Sequence, residues 1–229
     1  MVITGVQKLT LLDYPGRCAA TLFSPGCNFR CPFCHNATLA TSDHNGQLEE
    51  DEVLAFLKKR QGILEGVCFT GGEPLLQEDI GAFMEKVKAL GYLIKLDTNG
   101  YRPARLRELL ASGLLDYVAM DIKNSPARYA VTAGRKAMDF DRILESIALL
   151  ESGPVAHEFR TTVVRELHDA ESLRGAAHLV AGTQHYYLQG FVDSGDLIMP
   201  GLTGYAPDEM RALLQAVREE VPLAELRGV

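Results

Sequence analysis

The feature that most limits the fold is an alternation of short apolar runs with helical periods, repeated six times along the chain. The runs cover residues 17–24, 66–70, 93–98, 117–122, 158–164 and 185–191. Each is the length of a buried strand and too short for an ordinary helix. Between them, apolar residues return at helical spacing. Val53, Phe56 and Leu57 share a face within 49–60, and Ile80, Phe83, Val87 and Leu90 form a stripe that stops at Gly91. Further helices are expected around 105–112, over the period set by Phe140, Ile143, Leu144, Ile147 and Leu150, and over 170–181. A last one, about 207–221, begins at Pro207 and turns Met210, Leu213, Leu214 and Val217 inward. Proline suits the first helical position because its missing N–H would have had no partner there. Strands alternating with helices imply a parallel sheet, and six units make an open sheet or an incomplete barrel. The expected fold class is α/β, a partial (β/α)6 barrel with outer helices. No repeat, low-complexity tract or linker divides the 229 residues, so residues 1–229 are expected to form a single domain.

Polar residues collect where the expected strands end. Cys27, Cys31 and Cys34, spaced CxxxCxxC, lie in a loop over residues 25–36 that follows the first run. Gly71-Gly72-Glu73-Pro74 ends the second run, Asp97-Thr98-Asn99-Gly100 the third, and Asp121-Ile122-Lys123 the fourth. Arg160 and Gln189 lie on the last two. In barrels and open parallel sheets this is the end where ligands bind, so stretches distant in sequence are expected to share one rim. Thiolates are soft ligands for iron–sulfur clusters, zinc or copper(I), and three of them leave one position for something other than protein. The spacing favours a cluster over zinc, because structural zinc sites take two separated ligand pairs and no second pair is present. Taken alone, Gly71-Gly72 reads equally as a tight turn, Asp97 as a loop residue, and Asp121 with Lys123 as an edge ion pair. Cys18 and Cys68 read as small buried hydrophobes. His35 reads as a neighbour of the ligands, and the other five histidines show no ligand spacing.

Composition narrows the function classes. A net charge of −7 argues against general nucleic-acid binding. No apolar run is long enough for a membrane span and no secretory signal is visible. A reducing cytoplasm is therefore expected. There, an odd count of five cysteines with three crowded together points to metal or redox chemistry before disulfides. No GxSxG, Walker A, HExxH or GxGxxG motif supports a hydrolase, nucleotidase or dinucleotide reading.

The cysteine spacing, with Phe33 before Cys34, together with Gly71-Gly72-Glu73-Pro74, resembles the signature of the radical S-adenosylmethionine (SAM) superfamily. Within it the chain is most similar to activating enzymes of glycyl radical enzymes. Cys34-His35-Asn36 resembles their CHN, and Asp97-Thr98-Asn99-Gly100 and Asp121-Ile122-Lys123 resemble their DTNG and D-[LI]-K segments. Thr10-Leu11-Leu12-Asp13-Tyr14-Pro15-Gly16 resembles their S-x-x-D-G-P-G opening, with Thr10 for Ser and Tyr14 for Gly. The opening looks most like that of anaerobic ribonucleoside-triphosphate reductase activating proteins.

The resemblance implies that Cys27, Cys31 and Cys34 hold one [4Fe–4S] cluster, and that one electron from it cleaves SAM to methionine and a 5′-deoxyadenosyl radical. It implies cofactor contacts at Phe33, Gly71, Gly72, Glu73, Pro74, Asp97, Asn99, Lys123, Arg160 and Gln189. The glycines and Glu73 would take the methionine amino end, and Lys123 and Arg160 its carboxylate. Asp97, Thr98, Ala119 and Asp121 match a monovalent-cation site, a cation being one way to relieve two carboxylates that face one site. Only Cys68 falls in the 36 residues between Cys34 and Gly71, so no further clusters are expected. The implied substrate is a separate glycyl radical enzyme, an anaerobic ribonucleotide reductase, with the 207–221 helix helping to dock it and a flavodoxin or ferredoxin supplying electrons. The alternatives are a pyruvate formate-lyase-type activase, a small-molecule enzyme such as a 7-carboxy-7-deazaguanine synthase, and a zinc-stabilised binding module.

Overall fold

All six apolar runs are strands in the computed structural model, which describes residues 1–41 and 46–228. The polar loop expected at 41–46, with His44, falls largely outside the described residues. The chain divides into two compact units, one of residues 1–28, 38–119 and 153–156, the other of residues 29–37, 120–152 and 157–229.

In the first unit β2 (Ala19–Ser24), β3 (Gly66–Gly71) and β4 (Leu93–Thr98) run parallel, with β1 (Gly5–Thr10) antiparallel to β2. Register explains the faces. Leu22 lies beside Phe69 and Phe69 beside Leu96, while Thr21 lies beside Cys68 and Cys68 beside Lys95. Side chains alternate along a strand, so one face is apolar and the other carries Thr21, Cys68, Thr70, Lys95 and Asp97. Helix α1 (Ala37–Thr41) follows the cysteine loop, and α2 (Glu50–Lys59), α3 (Ile80–Ala89) and α4 (Pro103–Ala111) complete the connections. Their buried Leu57, Ile80, Phe83, Val87, Leu106 and Leu109 supply the helical side of the core. Glu50, Asp51 and Glu52 open α2 and Lys58 and Lys59 close it, each sign matched to the helix dipole.

The Thr10–Gly16 opening is held by side chains. Thr10 Oγ1 accepts from the Leu12 and Asp13 N–H groups, and Asp13 accepts from the Thr21 hydroxyl at 2.6 Å. Tyr14 is buried against Gly66, where a β-carbon would come within 2.7 Å of its ring, and its ring lies 6.0 Å from that of Tyr117.

Strand β5 (Tyr117–Asp121) carries the chain into the second unit. There β6 (Ala156–Val163), β7 (Tyr186–Gly190) and β8 (Glu225–Arg227) run parallel. Arg160 pairs with Tyr187 and Gln189 with Arg227, so Glu158, Arg160, Tyr187, Gln189 and Arg227 share one face. Phe159, Val163, Tyr186 and Leu188 take the other and are buried. Helices α5 (Pro126–Thr132), α6 (Asp141–Ser152), α7 (Ala170–His178) and α8 (Pro207–Arg218) bury Tyr129, Ile143, Ile147, Leu150, Leu173, Met210, Leu214 and Val217. Helix α7 opens with a reciprocal cap, Asp169 accepting from the Ser172 N–H and Ser172 Oγ from the Asp169 N–H.

Strands β1 and β8 and helices α1 and α5 are additions to the expected elements. β1 mixes exposed polar residues into its run, β8 has three residues, and α1 and α5 have five and seven. None carries enough periodicity to stand out locally. Cys68 is fully buried as expected, whereas Cys18 is half-buried, its N–H bonded to Glu65. No helix among the described residues is long and apolar enough to cross a membrane.

Candidate functional site

The start of the cysteine loop is fixed by backbone. Gly26 donates its N–H to the Leu39 carbonyl at 2.9 Å and accepts the Glu73 N–H at 2.8 Å, while the Gly72 N–H reaches the Ser24 carbonyl at 2.9 Å. Gly71 adopts φ +119°, a conformation L side chains rarely take, and a β-carbon there would lie 2.3 Å from the Ser24 oxygen. A β-carbon on Gly72 would lie 1.9 Å from the Gly26 oxygen. The glycine pair therefore lets the end of β3 press backbone-to-backbone onto the end of β2, where the loop begins.

Glu73 extends that clamp to β4. Its carboxylate is buried and accepts from the Leu75 N–H at 3.1 Å, the Thr98 hydroxyl at 2.8 Å and the Asn99 N–H at 2.7 Å. At least three of its roughly four lone-pair directions are thus taken within the protein. Glu73 thereby anchors the start of the 73–76 turn and the end of β4 beside the Gly71-Gly72 backbone. Pro74 is buried and opens a single 3-10 turn, Pro74–Leu76. The Asn99 amide reaches Asn28 Oδ1 at 2.8 Å and Cys27 Sγ at 3.8 Å, and its Oδ1 accepts the Tyr101 N–H at 3.0 Å.

The rest of the loop belongs to the second unit. The Arg30 N–H reaches the Ala133 carbonyl at 2.9 Å, the Met199 N–H reaches the Pro32 carbonyl at 2.9 Å, and the Cys34 N–H reaches the Cys31 carbonyl at 3.0 Å. Gly134, at φ +65°, leaves room for the Arg30 oxygen, which a β-carbon would meet at 1.9 Å. His35 stacks on Phe191 with ring centroids 5.4 Å apart. Cys27 and Cys34 are half-buried and Cys31 buried, and none of the three is in a disulfide. Burial raises the Cys31 thiol to about 11, with the Lys123 ammonium pulling the other way. Such a thiol becomes a thiolate when a metal displaces its proton. Three thiols on one loop are the donor chemistry of an iron–sulfur site, although among the described residues they are not gathered into a set that could hold a metal ion.

Asp121 is the centre of a charged group in the same unit. Lys123 Nζ lies 2.9 Å from one of its oxygens, and Arg160 places Nε at 3.1 Å and a terminal nitrogen at 3.0 Å from the other. Burial works to raise the Asp121 carboxyl, but the two cations outweigh it and hold it at about 2. Burial likewise works against the Lys123 ammonium, and Asp121 more than reverses this, raising it above its ordinary value. Lys123 Nζ also stands 5.9 Å from the Phe33 ring centroid. The Lys123 carbonyl accepts from Nε2 of buried His168 at 2.9 Å, and His168 Nδ1 accepts the Val164 N–H at 3.1 Å. Burial lowers the His168 pKa, in keeping with a neutral ring that positions Lys123.

Behind Arg160, Arg227 binds both oxygens of buried Glu158, at 2.8 and 2.9 Å, and lies 3.8 Å from the Tyr187 ring centroid. Glu158, His168 and Arg227 were not singled out from the sequence. A glutamate two residues from Arg160 in an apolar run was the available signal. Gln189 is half-buried on the same face. Asp97 pairs with Lys95, a fully buried lysine also unanticipated. Each aspartate of the expected cation site therefore has protein cations of its own, Lys95 for Asp97 and Lys123 with Arg160 for Asp121. Among the described residues no set of three His, Cys, Asp or Glu is gathered for a metal ion.

The sequence profile of the radical SAM superfamily matches residues 21–173. A protein of Methanocaldococcus jannaschii named as a glycyl-radical enzyme activating enzyme is 32% identical over 196 residues, covering 83% of this chain and 80% of that one. The pyruvate formate-lyase-activating enzyme of Clostridium pasteurianum is 29% identical over 185 residues, 78% of this chain and 75% of that one. Among solved structures, QueE from Escherichia coli aligns with a TM-score of 0.58 at 15% identity, over 100% of this chain and 94% of that one. That likeness concerns the fold, and it bears out the α/β class of partial-barrel type expected from the strand–helix alternation.

Proposed function

Since this chain belongs to the radical SAM superfamily and stands close to its glycyl-radical enzyme activating members, we propose that it abstracts hydrogen from a glycine of a separate glycyl radical enzyme, an anaerobic ribonucleoside-triphosphate reductase. Its family works with a [4Fe–4S] cluster and SAM, and the three-thiol loop suits that cluster. When bound, the pair supplies a one-electron cleavage that yields a hydrogen-abstracting radical. The observation that carries the reading is the 32% identity spread over 83% of the chain. The opening Thr10–Gly16 and the Cys34-His35-Asn36 run direct it to the reductase.

The residues of this chain take the following parts. Cys27, Cys31 and Cys34 ligate three irons. The Gly71-Gly72 backbone, fixed by the Glu73 clamp, receives the methionine amino end. Lys123 and Arg160, oriented by Asp121, receive its carboxylate, a planar anion that the arginine fork matches. Phe33, Pro74, Asp97 and Gln189 line the cofactor, and a flavodoxin or ferredoxin is the electron donor.

The test uses anaerobically reconstituted protein with SAM, a reductant and a candidate partner. A glycyl radical seen by electron paramagnetic resonance on the anaerobic reductase supports the assignment. A radical formed only on a pyruvate formate-lyase-type enzyme moves it to that partner, and 5′-deoxyadenosine release with no radical on either sinks the activase reading. In Cys31→Ala protein, iron and sulfide analysis is expected to show loss of the cluster, and a retained four-iron cluster would remove Cys31 from the ligands.

A further inference from the structure

We infer that the Asn99 side chain is a hydrogen-bond donor to the sulfur of Cys27 and sets the electron affinity of the cluster held there, with Glu73 as its positioning residue. The inference rests on Cys27 being a cluster ligand and goes beyond it.

Two polar side chains near Cys27 Sγ differ in character. As a thiol it donates to Asn28 Oδ1, with sulfur and oxygen 3.9 Å apart, and Asn99 Nδ2 approaches it as a donor at 3.8 Å. A ligand sulfur has no proton to give, so the contact with Asn28 Oδ1 belongs to the thiol alone. The Asn99 contact suits both forms and strengthens with negative charge on sulfur. The Asn99 contact therefore favours the state that binds iron.

The donor is held from every side. Glu73 Oε2 accepts the Asn99 N–H at 2.7 Å, and the Tyr101 N–H donates to Asn99 Oδ1 at 3.0 Å, which fixes which end of the amide faces the sulfur. Asn28 Oδ1 takes a share of the same amide nitrogen at 2.8 Å. Glu73 is 1% exposed and Asn99 6% exposed, so these bonds act with little solvent screening. The Glu73 N–H meanwhile grips the Gly26 carbonyl beside Cys27, so one residue sets both the sulfur and its donor.

A donor aimed at a ligand sulfur draws electron density from it and favours the more negative, reduced cluster, which raises the reduction potential. Reconstituted wild type, Asn99→Ala and Asn99→Asp protein should be compared by potentiometric titration followed by electron paramagnetic resonance, after iron analysis confirms four irons. The midpoint is expected to move negative in Asn99→Ala and further in Asn99→Asp, which keeps the acceptor for Tyr101 but replaces the donor with an oxygen. Unchanged or positive midpoints at full iron content would overturn the inference while leaving Cys27 a ligand. A wild-type protein that fails to bind four irons would instead remove the ligand reading. Should either variant load poorly, pulsed resonance on reduced wild type carrying ¹⁵N-amide asparagine decides. A nitrogen coupling to the cluster is expected, and its absence overturns the proposal.

Discussion

Gly72→Ala protein is expected to fold and yet hold no complete cluster. The added β-carbon would sit 1.9 Å from the Gly26 oxygen, 2.6 Å from the Gly26 carbonyl carbon and 3.3 Å from the Cys27 nitrogen. Carbon and carbonyl oxygen in favourable contact stay about 3.3 Å apart or more, so the loop must retreat by over an ångström. The obstacle is backbone, which has no rotamer to change. Retreat would also break the Glu73 N–H to Gly26 bond that holds the loop in place. Overpacking of this kind costs about 1–3 kcal/mol, and a backbone clash belongs at the upper end. Gly91→Ala is the control. Gly91 has φ +87° with nothing within 4 Å of the added carbon, so it tests left-handed strain alone, about 1–2 kcal/mol. Gly72→Ala should have the lower urea midpoint of the two, and only Gly72→Ala should fall short of four irons after anaerobic reconstitution. Equal iron content in both would mean that the glycine pair is a turn and no more.

How far the sequence was legible follows from the range of each interaction. The six runs could be read because burial on a sheet acts on consecutive residues, and all six are strands. Strand β8 could not, because Glu225, Leu226 and Arg227 are ordered by their ladder to β7, a partner some forty residues away in sequence. The same limit governs the site. Glu73 was legible as a residue at a strand end, but its carboxylate accepts from Leu75, Thr98 and Asn99, and Thr98 ends another strand with Asn99 just beyond it. Lys95 was within reach: a lysine in an apolar run, two residues from Asp97, must share a face with it. The two pair in the structure.

Asp121→Asn protein is expected to lose about 2 kcal/mol at neutral pH and to lose that deficit in acid. Asparagine keeps the shape of the side chain but leaves Lys123 and Arg160, each 14% exposed, without the anion between them. The magnitude follows from the carboxyl itself, which lies at about 2 against an ordinary 3.8. A displacement of that size corresponds to roughly 2.5 kcal/mol, and because Asp121 keeps 33% of its side chain in solvent, screening reduces it to about 2 kcal/mol. The sign is set by the direction of the displacement. A carboxyl held below its unfolded value stabilises the protein fully above that value, and the contribution disappears as pH falls through the folded one. The wild-type advantage should therefore be complete at pH 6, shrink from about pH 4 downward and vanish near pH 2. Other carboxylates held low, among them Glu50, Asp79 and Asp169, weaken both proteins alike and cancel in the comparison. Urea midpoints at pH 6 and pH 3 measure the difference. A gap that stays constant between them would show that Asp121 contributes by its hydrogen bonds alone. A gap that narrows to about half at pH 3 would show that its charge holds Lys123 and Arg160, the two residues proposed to receive the methionine carboxylate.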